Sequence, residues 1–448
     1  MTKNTSLGTH YLVVGAGPVG LATAKSLKAA NIPYHHVEAD DDIGGNWYHG
    51  TYKSAHILSA RHVMEYPDFP MPEDYPDFPS SVQMLSYYRA YTNNYNLKEN
   101  IQFKTKVVYV NPIENNLWKV SFDDGSNTIY KGVLVCNGHH WNKRYPNYEG
   151  NFIGDSFHSK EYKTSNQIKD KRVLVIGAGN SAFDIASECT RVSTNSYLSV
   201  RRGIWIFPKT FMGKPLAALQ LPKLPDWLQE ELVKMMLKVT IGSHKEYGLP
   251  KPTSGIFERH PTVNTETLMH VKHGRIKIKG AVKKLANSRV IFEDGSSEEI
   301  DTTVYATGFH TSFPFLPKKM DRVENSHVKV YGFSMYDDYK GIYLVGWMQP
   351  RGGVGSLIAP YADLLANLIK IQDKINIPLG IVLREMGEPL PTSHLMGGGQ
   401  VLKWINKTNK RLDKIEKKGR KLDTQLHQFQ NKTINGVEQT IMNDMKMF

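Results

Sequence analysis

Two stretches hold residues whose types and spacing suit nucleotide chemistry. In the first, Gly15, Gly17 and Gly20 stand as G-x-G-x-x-G directly after the apolar run Tyr11-Leu12-Val13-Val14, with Pro18 inside the triplet. A helical pattern through Leu21, Ala22, Ala24 and Leu27 follows at once, and Glu38 closes the next apolar stretch. The spacing predicts a phosphate cradle. Gly15 permits the tight turn, Gly17 lets backbone approach a pyrophosphate, and Gly20 lets helix pack on strand. The phosphates would rest on unpaired N–H groups at the helix N-terminus, and Glu38 would accept hydrogen bonds from ribose hydroxyls. In the second stretch, Arg172-Val173-Leu174-Val175-Ile176 runs into Gly177-Ala178-Gly179-Asn180-Ser181-Ala182, with alanine at the third glycine position. Where a site for a bare ribose places an acid, this stretch ends in Arg201-Arg202. Two cations there pair with a 2′-phosphate, so the second site is expected to hold NADPH in preference to NADH.

Each cradle needs a strand, a turn and a helix, and the intervening sequence supplies further strands. Residues 101–135 alternate as an antiparallel excursion, with turns at Asn111-Pro112, Asn115-Asn116 and Asp124-Gly125. The excursion returns through Val133-Leu134-Val135 to the glycine turn Cys136-Asn137-Gly138-His139. Residues 275–304 alternate again and end in Val304-Tyr305-Ala306-Thr307-Gly308-Phe309, which is expected likewise to return the chain to the first domain. Between the anchors lie a stiff, proline-rich segment from Ser54 to Pro79 and a helix capped by Ser80 or Ser81. Further helices are expected over 226–239 and 360–371. The N-terminus of the latter could face the electron-rich edge of a reduced flavin. Gly397-Gly398-Gly399 should turn into one or two terminal helices and a loose end.

The expected fold class is α/β, with two Rossmann-like dinucleotide-binding domains, one inserted in the other. The boundaries read as 1–165 and 301–395 for the outer domain, 166–300 for the inserted one, and 396–448 for a basic C-terminal segment. Two nucleotide sites in one chain suggest electron transfer between two cofactors, of which a nicotinamide and a flavin are the usual pair.

Composition removes other classes. The 448 residues carry a formal charge of +13, with much of the excess after residue 402. Interleaved Asp413, Glu416 and Asp423 make that segment a solvated helix face rather than a nucleic-acid or membrane surface. Cys136 and Cys189 are the two cysteines, far apart in sequence. They form no C-x-x-C redox pair and no cysteine-rich metal site, which fits a reducing cytoplasm. There is no Ser/His/Asp triad pattern, no H-E-x-x-H and no cluster of metal-ligand spacing. No apolar run matches a signal peptide or a bilayer span.

Between the cradles, Phe152-Ile153-Gly154-Asp155-Ser156-Phe157-His158-Ser159-Lys160-Glu161-Tyr162 resembles F-x-G-x-x-x-H-x-x-x-[YF], the identifying motif of the flavin-containing monooxygenases. With both glycine loops, Gly44-Gly45-Asn46-Trp47, Arg201-Arg202 and Ala306-Thr307-Gly308, the resemblance covers the chain to about residue 370. It is to the soluble, bacterial type, since Asn443 to Phe448 are too short and polar for a microsomal anchor. The resemblance implies bound FAD reduced by NADPH, NADP⁺ retained, and O2 held on the flavin as a hydroperoxide that passes oxygen to a nitrogen or sulfur nucleophile. The apolar, aromatic composition of segments 45–80 and 207–260 and of the Gln349 loop suits uncharged amines, sulfides and indole as substrates. Ketone oxygenation of Baeyer–Villiger type is the alternative, disfavoured by Tyr162 where that branch carries tryptophan. An uncoupled NADPH oxidase, a disulfide reductase and a non-catalytic flavoprotein are the remaining readings. A homodimer is the assembly implied.

By the same carry-over, Gly45, Asn46, Trp47, His56, Ala306, Thr307, Gly308 and Gln349 would meet cofactor, and Asn264 and Tyr162 would stand near the reaction. His158 is expected to be structural. One departure is notable. The family's usual asparagine between Tyr52-Lys53-Ser54 and Tyr66-Pro67-Asp68 is Leu58 here, with Ser59 or His56 the neighbours able to substitute. Peroxide leakage is the expected consequence.

Overall fold

The computed structural model describes residues 4–218, 224–347, 349–393 and 395–445. Tyr11, Leu12, Val13 and Val14 are four consecutive buried residues. Such a run suits a central parallel strand covered on both faces. Strand Asn4–Val14 pairs in parallel with Tyr34–Val37 on one side and Asn127–Val135 on the other. Ile101–Gln102 extends this sheet at one edge. Antiparallel Leu117–Phe122 and Val107–Ile113 extend it at the other. Ile342–Leu344 adds a parallel partner to the end of Asn127–Val135.

The second sheet is wholly parallel. Its order is Ile276–Lys279, Asn195–Ser199, Arg172–Ile176, Thr302–Tyr305, Asp155–His158. Two of these strands correct the reading above. Thr302–Tyr305 does not return the chain to the first sheet but lies beside Arg172–Ile176, and Asp155–His158 joins the same sheet before residue 166. An apolar strand suits either sheet, and its local pattern does not record its neighbour. Ile276–Lys279 is likewise a strand of this sheet. The expected meander is the antiparallel trio Val282–Asn287, Arg289–Phe292 and Ser297–Glu299.

The helices follow their local signals. Ser80 and Gln83 form a reciprocal capping box that starts Ser81–Asn94. Asp226–Thr240 forms where the helix over 226–239 is expected. Gly355–Gln372 starts five residues before the expected Pro360, which lies inside it. Its apolar face, with Leu357, Leu364, Leu365 and Leu368, belongs to one core cluster with Tyr11, Val13 and Leu27 of the first unit. Gly398–Asn409 and Leu412–Met445 close the chain, and helix replaces the expected loose end as far as Met445. Ile415 is fully buried, and the Asp423 carboxylate accepts from Asn376 N (2.7 Å) and Ile377 N (2.9 Å), so the start of the last helix is docked.

Candidate functional site

The two glycine loops have one geometry. Gly15 has φ +101°, and a Cβ there would stand 2.7 Å from the Cys136 carbonyl oxygen at the end of the neighbouring parallel strand. Gly177 has φ +143°, and its Cβ would stand 2.2 Å from the Ala306 carbonyl oxygen, at the end of the corresponding strand. Only glycine fits either place. At Gly17 the nearest heavy atom to an added Cβ is Gly45 Cα at 3.8 Å, and at Gly179 nothing lies within 4 Å. Both positions are therefore open cradles.

Helices Pro18–Ala29 and Asn180–Val192 begin after Gly17 and Gly179, neither with a side-chain cap. Their first N–H groups are left for an anion. These residues fit two dinucleotide pyrophosphates.

Strand register separates the two sites. Val14 pairs with Val37 and Ile176 with Ser199, so the residue after the second strand is Glu38 in one site and Val200 in the other. The Glu38 carboxylate is 8% exposed and accepts from Ala16 N (2.5 Å) and Asp40 N (3.0 Å). Burial pushes its pKa up, and these two N–H bonds offset part of that rise. Arg201 and Arg202 follow Val200, are exposed, and form no ion pair among the described residues.

Around the cradles the two units are tied together. Tyr52 OH donates to Asp184 Oδ2 (2.7 Å), and Asn264 Nδ2 donates to Asp184 Oδ1 (2.7 Å). Asn180 Oδ1 accepts from Val263 N (2.7 Å), and Thr262 Oγ1 donates to Ala178 O (2.6 Å), so residues 261–264 are pinned to the second glycine loop. Lys163 Nζ donates to the carbonyls of His49 (2.5 Å) and Lys160 (2.7 Å). Lys160 Nζ approaches Asn46 Oδ1 (3.5 Å) and His140 O (3.3 Å). Gln349 is shared between His139 and His260, one imidazole from each unit. Burial lowers the His260 pKa and so favours its neutral form.

The remaining expected residues fall as follows. Ala306, Thr307 and Gly308 form the turn after Thr302–Tyr305. Thr307 Oγ1 donates to Arg144 O, and Gly308 O accepts from His158 Nε2 (3.0 Å). His158 Nδ1 accepts from Lys160 N (3.2 Å), so this imidazole is neutral, bonded at both nitrogens, and lowered in pKa by burial. That is the structural role expected of it.

Gly45 brings its backbone over Gly17, Gly44 N donates to Ala16 O (2.9 Å), and Trp47 packs against the core cluster that holds Ala16 and Leu21. Ser59 Oγ donates to Gly352 O, which ties the 58–65 segment to the Gln349 loop; Leu58 is half-buried in that segment. His56 is exposed with Nδ1 at 2.9 Å from Ser54 O. Ser181 is half-buried at the start of Asn180–Val192.

The structure places two expected residues away from open space. Tyr162 is fully buried in the second core, its ring parallel to Phe157 and 5.8 Å from Tyr52. Asn264 is 5% exposed, with its amide used by Asp184 and by Thr267 N (3.1 Å). Sequence reasoning missed His139, Tyr52, Asp184 and Lys163 as junction residues. The paired His139-His140 after a glycine turn was the one local signal available for them.

Among the described residues no group of His, Cys, Asp and Glu is arranged to hold a metal, and no helix is long and apolar enough to cross a membrane. Cys136 and Cys189 are buried free thiols, each pushed up to about 12 by burial.

Comparison with known proteins gives concordant matches. The family model described as flavin-binding monooxygenase-like matches residues 9–377. Flavin-containing monooxygenase 5 of Oryctolagus cuniculus is 33% identical over 391 residues, covering 80% of this chain and 72% of that protein. Among solved structures, the flavin-containing monooxygenase from Stenotrophomonas maltophilia superposes with a TM-score of 0.62 at 18% identity, covering 82% of this chain and 98% of that one. OTEMO in complex with FAD and NADP superposes with a TM-score of 0.68 at 16% identity, covering 83% and 85%.

Proposed function

This chain belongs to the flavin-binding monooxygenase-like family, and on that premise we propose that it uses FAD, NADPH and O2 to oxygenate soft nitrogen or sulfur centres. The observation that carries the reading is the pair of open, uncapped glycine cradles with an acid after the second strand of one and two arginines just past that point in the other. FAD belongs in the first cradle, with Glu38 on its ribose. NADPH belongs in the second, with Arg201 and Arg202 on its 2′-phosphate. When bound, the two supply hydride transfer and oxygen activation.

What the chain itself does is bind, orient and exclude water. Gly17 and Gly179 admit the pyrophosphates. The bonds of Tyr52 to Asp184 and of Gln349 to His139 and His260 hold the cradles on one junction, and Asn180 holds residues 261–264 over the second. Effective concentration and exclusion of water then carry most of the catalytic effect. No side-chain nucleophile is required, and the buried His158 holds the Gly308 turn rather than moving a proton. Tyr162, where the ketone-oxygenating branch has tryptophan, favours nitrogen or sulfur over ketones. Leu58 supports some loss of oxygen as peroxide.

The test is to purify the yellow holoprotein and follow NADPH oxidation with a thioether, a tertiary amine, indole and a cyclic ketone, scoring peroxide in parallel. Sulfoxide or N-oxide formation is expected, with peroxide alongside. Lactone from the ketone as the main product would replace the proposal with the Baeyer–Villiger reading. Peroxide alone would make the protein an oxidase.

A further inference from the structure

Strand Gln349–Arg351 lies in the first unit, and residues 257–260 lie in the second. Gln349 and Arg351 are two apart on a strand and so share one face. Both reach across. Gln349 Oε1 pairs with His260 Nε2, and the Arg351 guanidinium stands 4.2 Å from the Phe257 ring centroid. At its other end, Gln349 Nε2 pairs with His139 Nε2, on the turn that follows strand Asn127–Val135. Gln349 itself is 8% exposed. One buried primary amide thus spans an imidazole of each unit.

We infer that Gln349 is a positioning residue, a crossbar that fixes how the two nucleotide units face each other and that holds while at most one of its two imidazoles is charged. This rests on the reading that hydride passes across this junction. The reason is the chemistry of the amide, which has one donating end and one accepting end. Whichever way it is turned, one imidazole must offer it a lone pair and must be neutral.

Among the described residues, the charged or titratable groups on these elements include His140 beside His139, Lys160 at the His140 carbonyl, Glu258 and Arg259 before His260, Arg351, and Asp184 bonded to Asn264. Burial of His260, which disfavours its charged form, opposes a second charged imidazole. Acidification below the ordinary imidazole range of about 6.5 should therefore release the crossbar.

The test uses FAD-loaded protein mixed anaerobically with saturating NADPH, following loss of flavin absorbance across about pH 5 to 8.5. Gln349→Leu keeps the volume and loses both bonds. It is expected to slow bleaching about tenfold at neutral pH and to flatten the acid limb, while dithionite still bleaches it fully. Gln349→Glu accepts from both imidazoles even when both are charged, so its acid limb should move about one pH unit lower. A readout independent of turnover is NADP⁺ binding to the oxidised holoprotein. Calorimetric affinity for Gln349→Leu should stay within about threefold of the parent, while the flavin absorbance change on binding shrinks. If Gln349→Leu does not retain FAD, His260→Leu removes the crossing bond from the other side and carries the same expectations.

Bleaching of Gln349→Leu within twofold of the parent, or an unmoved acid limb in Gln349→Glu, overturns the crossbar and leaves the functional reading standing. A parent holoprotein that NADPH never bleaches overturns both.

Discussion

The two glycine loops are the same construction in different surroundings. Gly15 N donates to Val37 O (2.8 Å) and Gly177 N to Ser199 O (3.0 Å), so each loop is hung on the strand beside it in the same way. Glu38 N donates to Gln102 O and Val200 N to Lys279 O, both at 2.9 Å, which carries the equivalence one residue further. There the side chains diverge, with a buried carboxylate in the first site and a buried valine followed by two exposed arginines in the second.

The helices differ too. A Cβ on Gly20 would stand 1.8 Å from Gly15 O, whereas Ala182 carries its Cβ at 3.5 Å from the place a Gly177 Cβ would take. Backbone packing thus sets the cradle, and under the proposed function the one or two residues past the second strand set which nucleotide suits it. The covers are also distinct. Gly44-Gly45 backbone lies over the first loop, and residues 261–264, pinned by Asn180, lie over the second.

The largest expected effect tests the packing half of this contrast. Gly20→Ala should cost about 3 kcal/mol and abolish FAD retention, because the added methyl meets a backbone oxygen that cannot move aside. Ala182→Gly, at the matching position, should cost only about 1 kcal/mol, the ordinary price of helical glycine. Thermal melting and flavin content of the two purified variants decide it. Equal losses would mean that the loops are not packed differently at the third position.

Next comes the ligand half. The double variant Arg201→Ala/Arg202→Ala should raise the KM for NADPH about 30-fold, about 2 kcal/mol, with the NADH value little changed. Steady-state kinetics with both coenzymes check this, and a matching rise for NADH would remove the 2′-phosphate from the account.

The smallest effect concerns Glu38 in the FAD-free protein. Burial raises its folded pKa, so its contribution to stability is present at low pH and is lost as pH rises through that raised value. Glu38→Gln should flatten this part of the stability curve above the ordinary carboxylate range of about 4.3 and weaken FAD binding about tenfold. Melting temperatures of the apoprotein across that range, with a flavin titration at neutral pH, measure both. A curve that keeps the parent's slope would assign it to another carboxyl group.

Much of the candidate site is legible in local pattern, because its parts are local. A strand, a glycine spacing, a helix start and the next strand's end lie within about 25 residues of one another. The helix start at Ser80 or Ser81 is readable for the same reason, since a cap is local, and the structure adds the reciprocal bond from Gln83. What could not be read joins residues remote in the chain. Tyr52 meets Asp184, and Gln349 meets both His139 and His260. Thr302–Tyr305 lies in the other sheet from the one its pattern suggests, for a related reason. Its four buried residues describe how deep it lies, not what it lies against.

By itself the amino-acid sequence determined the two glycine loops, the acid after one and the arginine pair after the other, the α/β class and the family. Each depends on residue type and short spacing, which backbone sterics and hydrogen bonding translate directly into local shape. Only the tertiary structure decided which strands share a sheet, that Tyr162 and Asn264 are packed inside, and that one glutamine amide bridges two imidazoles. Those outcomes depend on which apolar surfaces come together. Burial is driven by area and has no direction, so it leaves no address in the chain.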